Sequence, residues 1–342
     1  MTVSDLCDRV IDRPVVSVII ANYNGATYLA DAIRSAQQQT LHNIEIIIAD
    51  DGSTDESVGI VSRLMAEDPR IRLLQDRQNR GPAAARNRAL AAASGEWIAV
   101  MDSDDLMHPK RLSTLVEMAS GDGAELAADN VLEFFQDGSA PPRPLLSGHW
   151  TSGPRWVDIV DYVEGNLFYV RGPALGYLKP LFKASTLTGC RYDETLTIGE
   201  DYDLVARLLH SGKKLRVYPQ PWYSYRKHKA SLSHRANKNA LQALKAANLR
   251  LLNLISPSDQ RAIAAVNSRM RSIETALLFD NLLDSLKRRR WLSSFKIALQ
   301  RPRVVALLRL PIGVRLRRLI AWTRSCWNQC FRADKHSRAA QV

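Results

Sequence analysis

Cysteine is scarce in this sequence: Cys7, Cys190, Cys326 and Cys330 are the only four among 342 residues, and they lack metal-ligand spacing apart from a C-x-x-x-C pair near the end. So few thiols exclude a disulfide-stapled scaffold. A secretory signal is missing as well, because Asp5, Asp8 and Asp12 oppose a cationic leader, and reduced cytosolic thiols are the expectation. No apolar run approaches the roughly 18 residues of a membrane span, so the chain is not expected to cross a bilayer. Acids are nearly absent from one region. Residues 287–342 hold 15 of the 47 Lys and Arg but only one of the 35 acids, Asp334, for a net charge of +14. Residues 1–286 are left with 32 basic and 34 acidic side chains, a net of −2. The basicity belongs to the tail.

From Val15 to about Asn130, short β-branched runs alternate with helical patterns. Leu29, Ala32, Ile33 and Ala36 recur at helical spacing after the first run, and Ile60, Leu64 and Met65 after the second. Residues 71–74 read as a third strand and 82–93 as an alanine-rich helix opened by proline. A strand over 97–101 and a second proline-opened helix over 109–119 follow. Such alternation predicts a parallel sheet with helices on its faces. Turn formers crowd residues 136–155 and predict a loop. A helix over 201–209, a short strand over 214–218 and a basic-aromatic run over 222–228 come next. After Ser233 the pattern is helical to Leu286, and there is no internal repeat.

Three apolar strands run directly into polar clusters. The first leads to Asn22-Tyr23-Asn24-Gly25, the second to Asp50-Asp51-Gly52-Ser53-Thr54-Asp55, and the strand at 97 to Asp102-Ser103-Asp104-Asp105. In an open parallel sheet such ends share one edge, and ligands bind in the crevice outside it. Carboxylates clustered there need a metal ion or a hydrogen-bonded ligand to be tolerable, so the pattern points to a metal-diphosphate site.

Together with Gly81-Pro82-Ala83-Ala84-Ala85-Arg86-Asn87 and Gly199-Glu200-Asp201, these segments resemble the family 2 glycosyltransferases of the GT-A fold, in the family's order and spacing, over about residues 15–235. The resemblance implies an α/β fold: a Rossmann-like, mainly parallel sheet flanked by helices, with a helical C-terminal extension. The implied organisation is an N-terminal extension at 1–14 and a GT-A domain at 15–235, made of a nucleotide-binding half at 15–130 and an acceptor half at 131–235. A helical extension at 236–286 and a basic amphipathic tail at 287–342 complete it.

Residue roles follow from the same resemblance. Asn22 and Tyr23 open the nucleotide site, and Asp50 and Asp51 read uracil and ribose. A carboxylate can accept from the uracil ring N–H, which cytosine lacks; the same Asp-rich segment also reads as a turn with a helix cap. Arg86 contacts the nucleotide, its fork of donors suiting diphosphate or a base carbonyl. Where the family commonly has a glycine two residues after that motif's asparagine, this chain has Ala89, which implies a looser approach of helix to sheet. Asp102 bonds ribose, and Asp104 binds Mg²⁺ or Mn²⁺ with the two phosphates. Asp201 is the expected general base toward the acceptor hydroxyl in an inverting transfer, with Glu200 as the fallback; both also suit a helix N-terminus. Arg226 and His228, followed by Ser231 and Ser233, resemble the family's variable loop that can close over diphosphate, and His228 reads as a further metal ligand, a phosphate donor or a surface histidine. The rings of Trp150, Trp156, Tyr162, Phe168, Tyr169 and Tyr177 read either as a second core layer or, for some, as platforms for sugar faces. The Q-x-x-R-W signature of processive members is absent, which implies one sugar added per encounter.

In the tail, Leu316, Leu319, Ile320, Thr323 and Trp327 recur at helical spacing while Arg317, Arg318 and Arg324 take another face. A basic amphipathic helix of this kind lies on an anionic membrane surface, or else packs on the protein's own core. Nucleic acid is not an expected partner, since no nucleic-acid motif accompanies the charge. A UDP-sugar donor together with membrane affinity implies a lipid-linked oligosaccharide acceptor and a cytoplasmic, peripheral place on the inner membrane. Among family members, length and motif wording most resemble bacterial exopolysaccharide glucosyltransferases of the succinoglycan type, which implies UDP-glucose. The alternatives are another UDP-hexose or a UDP-N-acetylhexosamine, used for lipopolysaccharide or capsule, and, in a different class, a metal-dependent phosphohydrolase.

Overall fold

The computed structural model describes residues 13–170, 172, 174–228 and 238–309. The first strands are nearly pure apolar runs. β1 (Val16–Asn22) precedes α1 (Ala26–Gln37), and β2 (Ile44–Asp50) precedes α2 (Ser57–Glu67). Every residue of β2 is buried, as a parallel strand covered on both faces requires. Leu29, Ala32, Ile33 and Ala36 form the buried stripe of α1, as their spacing predicts. β3 (Ile71–Gln75), α3 (Pro82–Ala92), β4 (Trp97–Asp102), β5 (Leu106–Met107) and α4 (Arg111–Asp122) follow. Ala89 is fully buried on α3, so its methyl group is packed into the core rather than excluded from it.

The second half of the sheet comes from β6 (Leu126–Phe135), β7 (Arg143–Pro144) and β8 (Arg155–Val157). After α5 (Ile159–Glu164) come β9 (Leu181–Lys183), α6 (Glu200–His210) and β10 (Leu215–Lys227). Strand order is β3-β2-β1-β4-β9-β6-β10-β5, with β7 on β6 and β8 on β10. β1 pairs in parallel with β2 and β4, and β2 with β3. β9 runs antiparallel between β4 and β6, which returns β6 to the direction of β4, and β10 is parallel to β6. The carboxyl ends of β1, β2, β4 and β10 therefore lie along one edge.

β10 is longer than the sequence pattern predicts. The expected strand stops at Tyr218 because Pro219 and Pro221 follow; the observed one shifts register between Tyr218 and Tyr223 and resumes pairing to Lys227. A bulge tolerates prolines that have no N–H to give a ladder. The basic-aromatic run is thus sheet, and it arrives beside the acidic motif. The expected helical stretch after Ser233 is two helices, α7 (Lys238–Leu254) and α8 (Gln260–Lys287). Pro257 interrupts them and Asp259 Oδ1 accepts from Ala262 N (3.0 Å) to start the second. α9 (Trp291–Gln300) and α10 (Pro302–Ala306) end the described chain.

Two compact units divide within α8, Met1–Ile273 and Glu274–Val342. The first has one continuous core reaching from Val16 to Val266, and the second a small one around Phe279, Leu282 and Val304.

Within the first unit, Arg111 and Asp129 form an ion pair without solvent contact, at 2.8 Å. Arg111 also donates to the Lys179 carbonyl (2.6 Å), and Asp129 accepts from Trp222 N (3.1 Å), so α4, β6, β10 and the segment before β9 meet there. Burial pushes the Asp129 carboxyl up although Arg111 opposes it, so desolvation outweighs attraction. Asp129→Leu alone strands the arginine and should lower stability by about 3–5 kcal/mol. Urea denaturation of the full chain measures it, and adding Arg111→Met should recover most of the loss.

Candidate active site

At the ends of β1 and β2 the side chains build the site walls. Asn22 Nδ2 donates to Asp50 Oδ2 (2.8 Å) and Ser53 Oγ (3.2 Å), while Asp50 also accepts from Ser53 N (2.9 Å) and Ser53 Oγ (2.6 Å). Gly25 is required by close approach: a Cβ there would lie 2.2 Å from Asn22 Oδ1. Asp51 accepts from the backbone N–H of Arg80 (2.8 Å) and Gly81 (2.7 Å) and from Arg88 Nη1 (3.2 Å). Both buried acids of the second strand therefore shape the crevice, Asp50 through its turn and Asp51 through the loop that opens α3. Tyr23 stands exposed beside them.

The centre of the site is a charge cluster. Arg86, buried on α3, reaches Asp102 at 2.8 Å, Asp201 at 3.5 Å, and Glu200. Lys179 Nζ bridges Asp102 (2.7 Å) and Asp201 (2.9 Å). The acids at the end of β4 and at the start of α6, about a hundred residues apart, thus share two cations. Gly199 makes this possible. It adopts φ +81°, and a Cβ would meet Leu244 Cδ2 at 2.6 Å, so the chain turns sharply into α6 under α7.

The electrostatics follow from burial and charge. Burial alone would raise Asp102, but Lys179 and Arg86 overcome it and lower its pKa to about 2. Burial and then Asp102 raise Asp104, with His228 opposing. Asp105 is raised well above the usual carboxylate range by burial, Asp102 and Asp104. Burial raises Glu200 as well; Arg86 opposes it and Asp201 adds to it. Burial pulls Lys179 and Arg86 down, yet the surrounding carboxylates leave both well above their ordinary values.

Asp102, Asp104 and Asp105 place one carboxylate oxygen each within 4.8 Å of one another. His228 Nε2 lies 2.8 Å from Asp104 Oδ2, so the two residues assigned to the metal by the family pattern are in contact. Asp105 is held from below by Tyr223 Oη (2.8 Å) and Arg226 N (2.8 Å). Hard oxygen donors with one imidazole suit Mg²⁺ or Mn²⁺. This donor set fits such an ion.

Arg226, expected with His228 beside the diphosphate, donates its backbone N–H to Asp105 (2.8 Å), whereas Lys179, Arg88 and Tyr223 are not foreseen by the sequence pattern. Lys179 lies in Tyr177-Leu178-Lys179-Pro180, a segment without a recognisable motif, and the prolines that conceal the length of β10 also conceal Tyr223. Of the aromatics, Tyr162 is buried and stacked on Tyr202 at 5.5 Å, whereas Trp156, Tyr169 and Tyr177 are exposed. Of the four cysteines, Cys190 alone falls among the described residues, and it is a free thiol.

Residues 17–186 match the family described as Glycosyl transferase family 2. The chain is 35% identical over 310 residues to the succinoglycan biosynthesis protein ExoO of Rhizobium meliloti (strain 1021), covering 90% of this chain and 88% of that one. It is 37% identical over 226 residues to ExoU, another succinoglycan biosynthesis protein of the same organism, covering 64% and 65% of the two chains. Among solved structures, S. aureus TarS 1-349 in complex with UDP-GlcNAc superposes with a TM-score of 0.57 at 16% identity, over 84% of this chain and 92% of that one. The mannosyltransferase PcManGT of Pyrobaculum calidifontis, in complex with GDP-Man and Mn²⁺, gives 0.55 at 16% identity over 89% and 81%. At such identity the structural likeness establishes the GT-A fold, while the sequence relatives establish the family and set aside the phosphohydrolase reading. The chain belongs to glycosyl transferase family 2 and is a glycosyltransferase.

Proposed function

We propose that this enzyme transfers a single glucose, with inversion, from UDP-glucose to a lipid-linked oligosaccharide in bacterial exopolysaccharide biosynthesis. One observation carries the reading: Asp102, the first D-x-D acid, and the Glu200-Asp201 pair converge on Arg86 and Lys179 at one sheet edge, with Asp104 beside them on His228. A leaving-group site and an acceptor base lie within one cluster. The names of ExoO and ExoU support an exopolysaccharide product. The UDP-GlcNAc complex of TarS and the Mn²⁺ complex of PcManGT support a nucleotide-sugar donor and a divalent ion.

In this reading Asp50 and Asp51 wall the uracil and ribose pocket, with Asn22 and Tyr23 at its mouth. Asp102 takes the ribose, and Asp104 with His228 holds Mn²⁺ or Mg²⁺. The ion, when bound, neutralises charge on the departing diphosphate. Asp201 removes the proton from the acceptor hydroxyl; that oxygen bonds to the anomeric carbon from the face opposite UDP, and the bond from carbon to phosphate oxygen breaks. UDP leaves with the electron pair. Lys179 and Arg86 keep Asp201 oriented beside Asp102.

The surface of α9 supports an acceptor carried on a membrane. Trp291, Leu292, Phe295 and Leu299 are 67%, 88%, 65% and 66% exposed, and residues 287–309 carry eight Lys and Arg without an acid. Apolar rings ringed by cations suit an anionic bilayer interface. The expected amphipathic segment at 314–330 lies outside the described residues. No helix among the described residues is long and apolar enough to cross a membrane, and the cytoplasmic face of the inner membrane is part of this proposal.

Asp104→Asn should abolish metal-dependent UDP binding and leave the fold intact; calorimetric titration with and without Mn²⁺ measures it, and unchanged metal dependence contradicts the assignment. Asp201→Asn should keep UDP-glucose affinity but lose about 10²–10⁴-fold in transfer. If that variant keeps full activity, the base is Glu200. Phe295→Asp should release the protein from phosphatidylglycerol vesicles in co-sedimentation while donor hydrolysis stays unchanged, and wild-type binding should weaken as salt screens each cation's contribution of about 1 kcal/mol.

A further inference from the structure

Two tyrosines at the catalytic edge have no task in donor binding. Tyr177 ends a single 3₁₀ turn, Leu175–Tyr177, and Leu178 beyond it is extended. Lys179, the next residue, reaches Asp201 at 2.9 Å. The Tyr177 phenol is pushed up by burial and by the negative charge of Glu133, and pulled down by Lys179, so its hydroxyl end lies in the field of both. Yet Tyr177 is 44% exposed. The ring is thus partly open to solvent, two residues along the chain from the lysine that holds Asp201.

The other ring belongs to β10. Side chains two apart on a strand share a face, so Tyr225 extends the face of Tyr223, whose hydroxyl donates to Asp105. The rings of Tyr177 and Tyr225 are 6.1 Å apart at 53°, a tilted arrangement in which neither covers the face of the other. Lys227 Nζ sits 5.2 Å over the Tyr225 ring and 2.8 Å from Glu133. An aromatic platform bordered by an ammonium and a carboxylate is therefore suspended between the D-x-D loop and Lys179. Tyr225 also packs against the main core, which fixes its ring, whereas Tyr162 of the same half is fully buried against Tyr202.

We infer that Tyr177 and Tyr225 form the subsite for the terminal pyranose of the acceptor. The sugar's C–H face lies on the Tyr177 ring, Glu133 and Lys227 meet its outer hydroxyls, and the nucleophilic hydroxyl points to Asp201. Ligand sites of this kind combine apolar rings with a few convergent polar groups. The inference rests on the transferase reading above and adds the place and chemistry of the acceptor.

Saturation-transfer NMR with methyl β-cellobioside, UDP and Mg²⁺ tests it on the full chain. The wild type should saturate the C–H protons of the terminal glucose. Tyr177→Ala and Tyr225→Ala should each weaken that binding about tenfold, and Tyr177→Phe, which keeps the ring, should stay close to wild type. UDP-glucose hydrolysis by water, measured on the same preparations, should be equal in all four proteins. Absence of saturation in the wild type, unchanged disaccharide binding in Tyr177→Ala, or an equal fall in hydrolysis overturns the subsite. If disaccharide binding fails while hydrolysis persists, the transferase reading stands alone; if the wild type hydrolyses no donor, both fall.

Discussion

Carboxylates repel, and this fold brings Asp102, Asp104, Glu200 and Asp201 to one sheet edge only because Arg86 and Lys179 stand among them. Much of the surrounding structure serves to place those two cations. Arg86 rides on α3, whose opening loop is fastened by Asp51 to the end of β2. Lys179 projects from a segment whose backbone carbonyl is gripped by buried Arg111, itself fixed by Asp129. An uncompensated charge at either buried position would cost several kcal/mol, so the folding core and the active site depend on the same charge pairing.

The parallel topology makes the convergence possible. β1, β2, β4 and β10 end at one edge, and antiparallel β9, inserted between β4 and β6, carries the chain back across the sheet. Pro180, next to Lys179, leads into that strand. The first residues of α6 meet the same edge because Gly199 turns where a side chain would strike Leu244. Three acids in the first turn of α6 then lie at the favourable end of the helix dipole. Local helix chemistry and site chemistry agree in sign.

The nucleotide-binding half was legible in the sequence because its signals are local and periodic. Apolar runs ending in Asn22, Asp50 and Asp102 announce both the strands and the edge at which they stop. Tertiary information was less visible. Lys179 carries no motif, and only the fold reveals that it lies between Asp102 and Asp201. Pro219 and Pro221 hid a strand that resumes past a bulge, and with it Tyr223 beneath the acidic loop, whereas Arg226 was legible beside His228. Pro257 acted in the opposite sense: one helical pattern became two helices at a turn that the periodicity spans but the backbone cannot.

The charge balance of the cluster indicates what it is prepared to receive. Five acids, Asp102, Asp104, Asp105, Glu200 and Asp201, face Arg86, Lys179 and the imidazole of His228. The two strong cations are spent on Asp102 and the α6 pair, and Asp102 is lowered to about 2 as a result. Asp104 and Asp105 receive little of that compensation and are raised by burial and by Asp102. Ionisation of Asp104 and Asp105 is therefore the least compensated in the cluster. A divalent cation would compensate it there, whereas a further lysine would need a route through the packed strands beneath. The acids of the D-x-D loop and those of α6 thus share one edge but stand in different electrostatic surroundings.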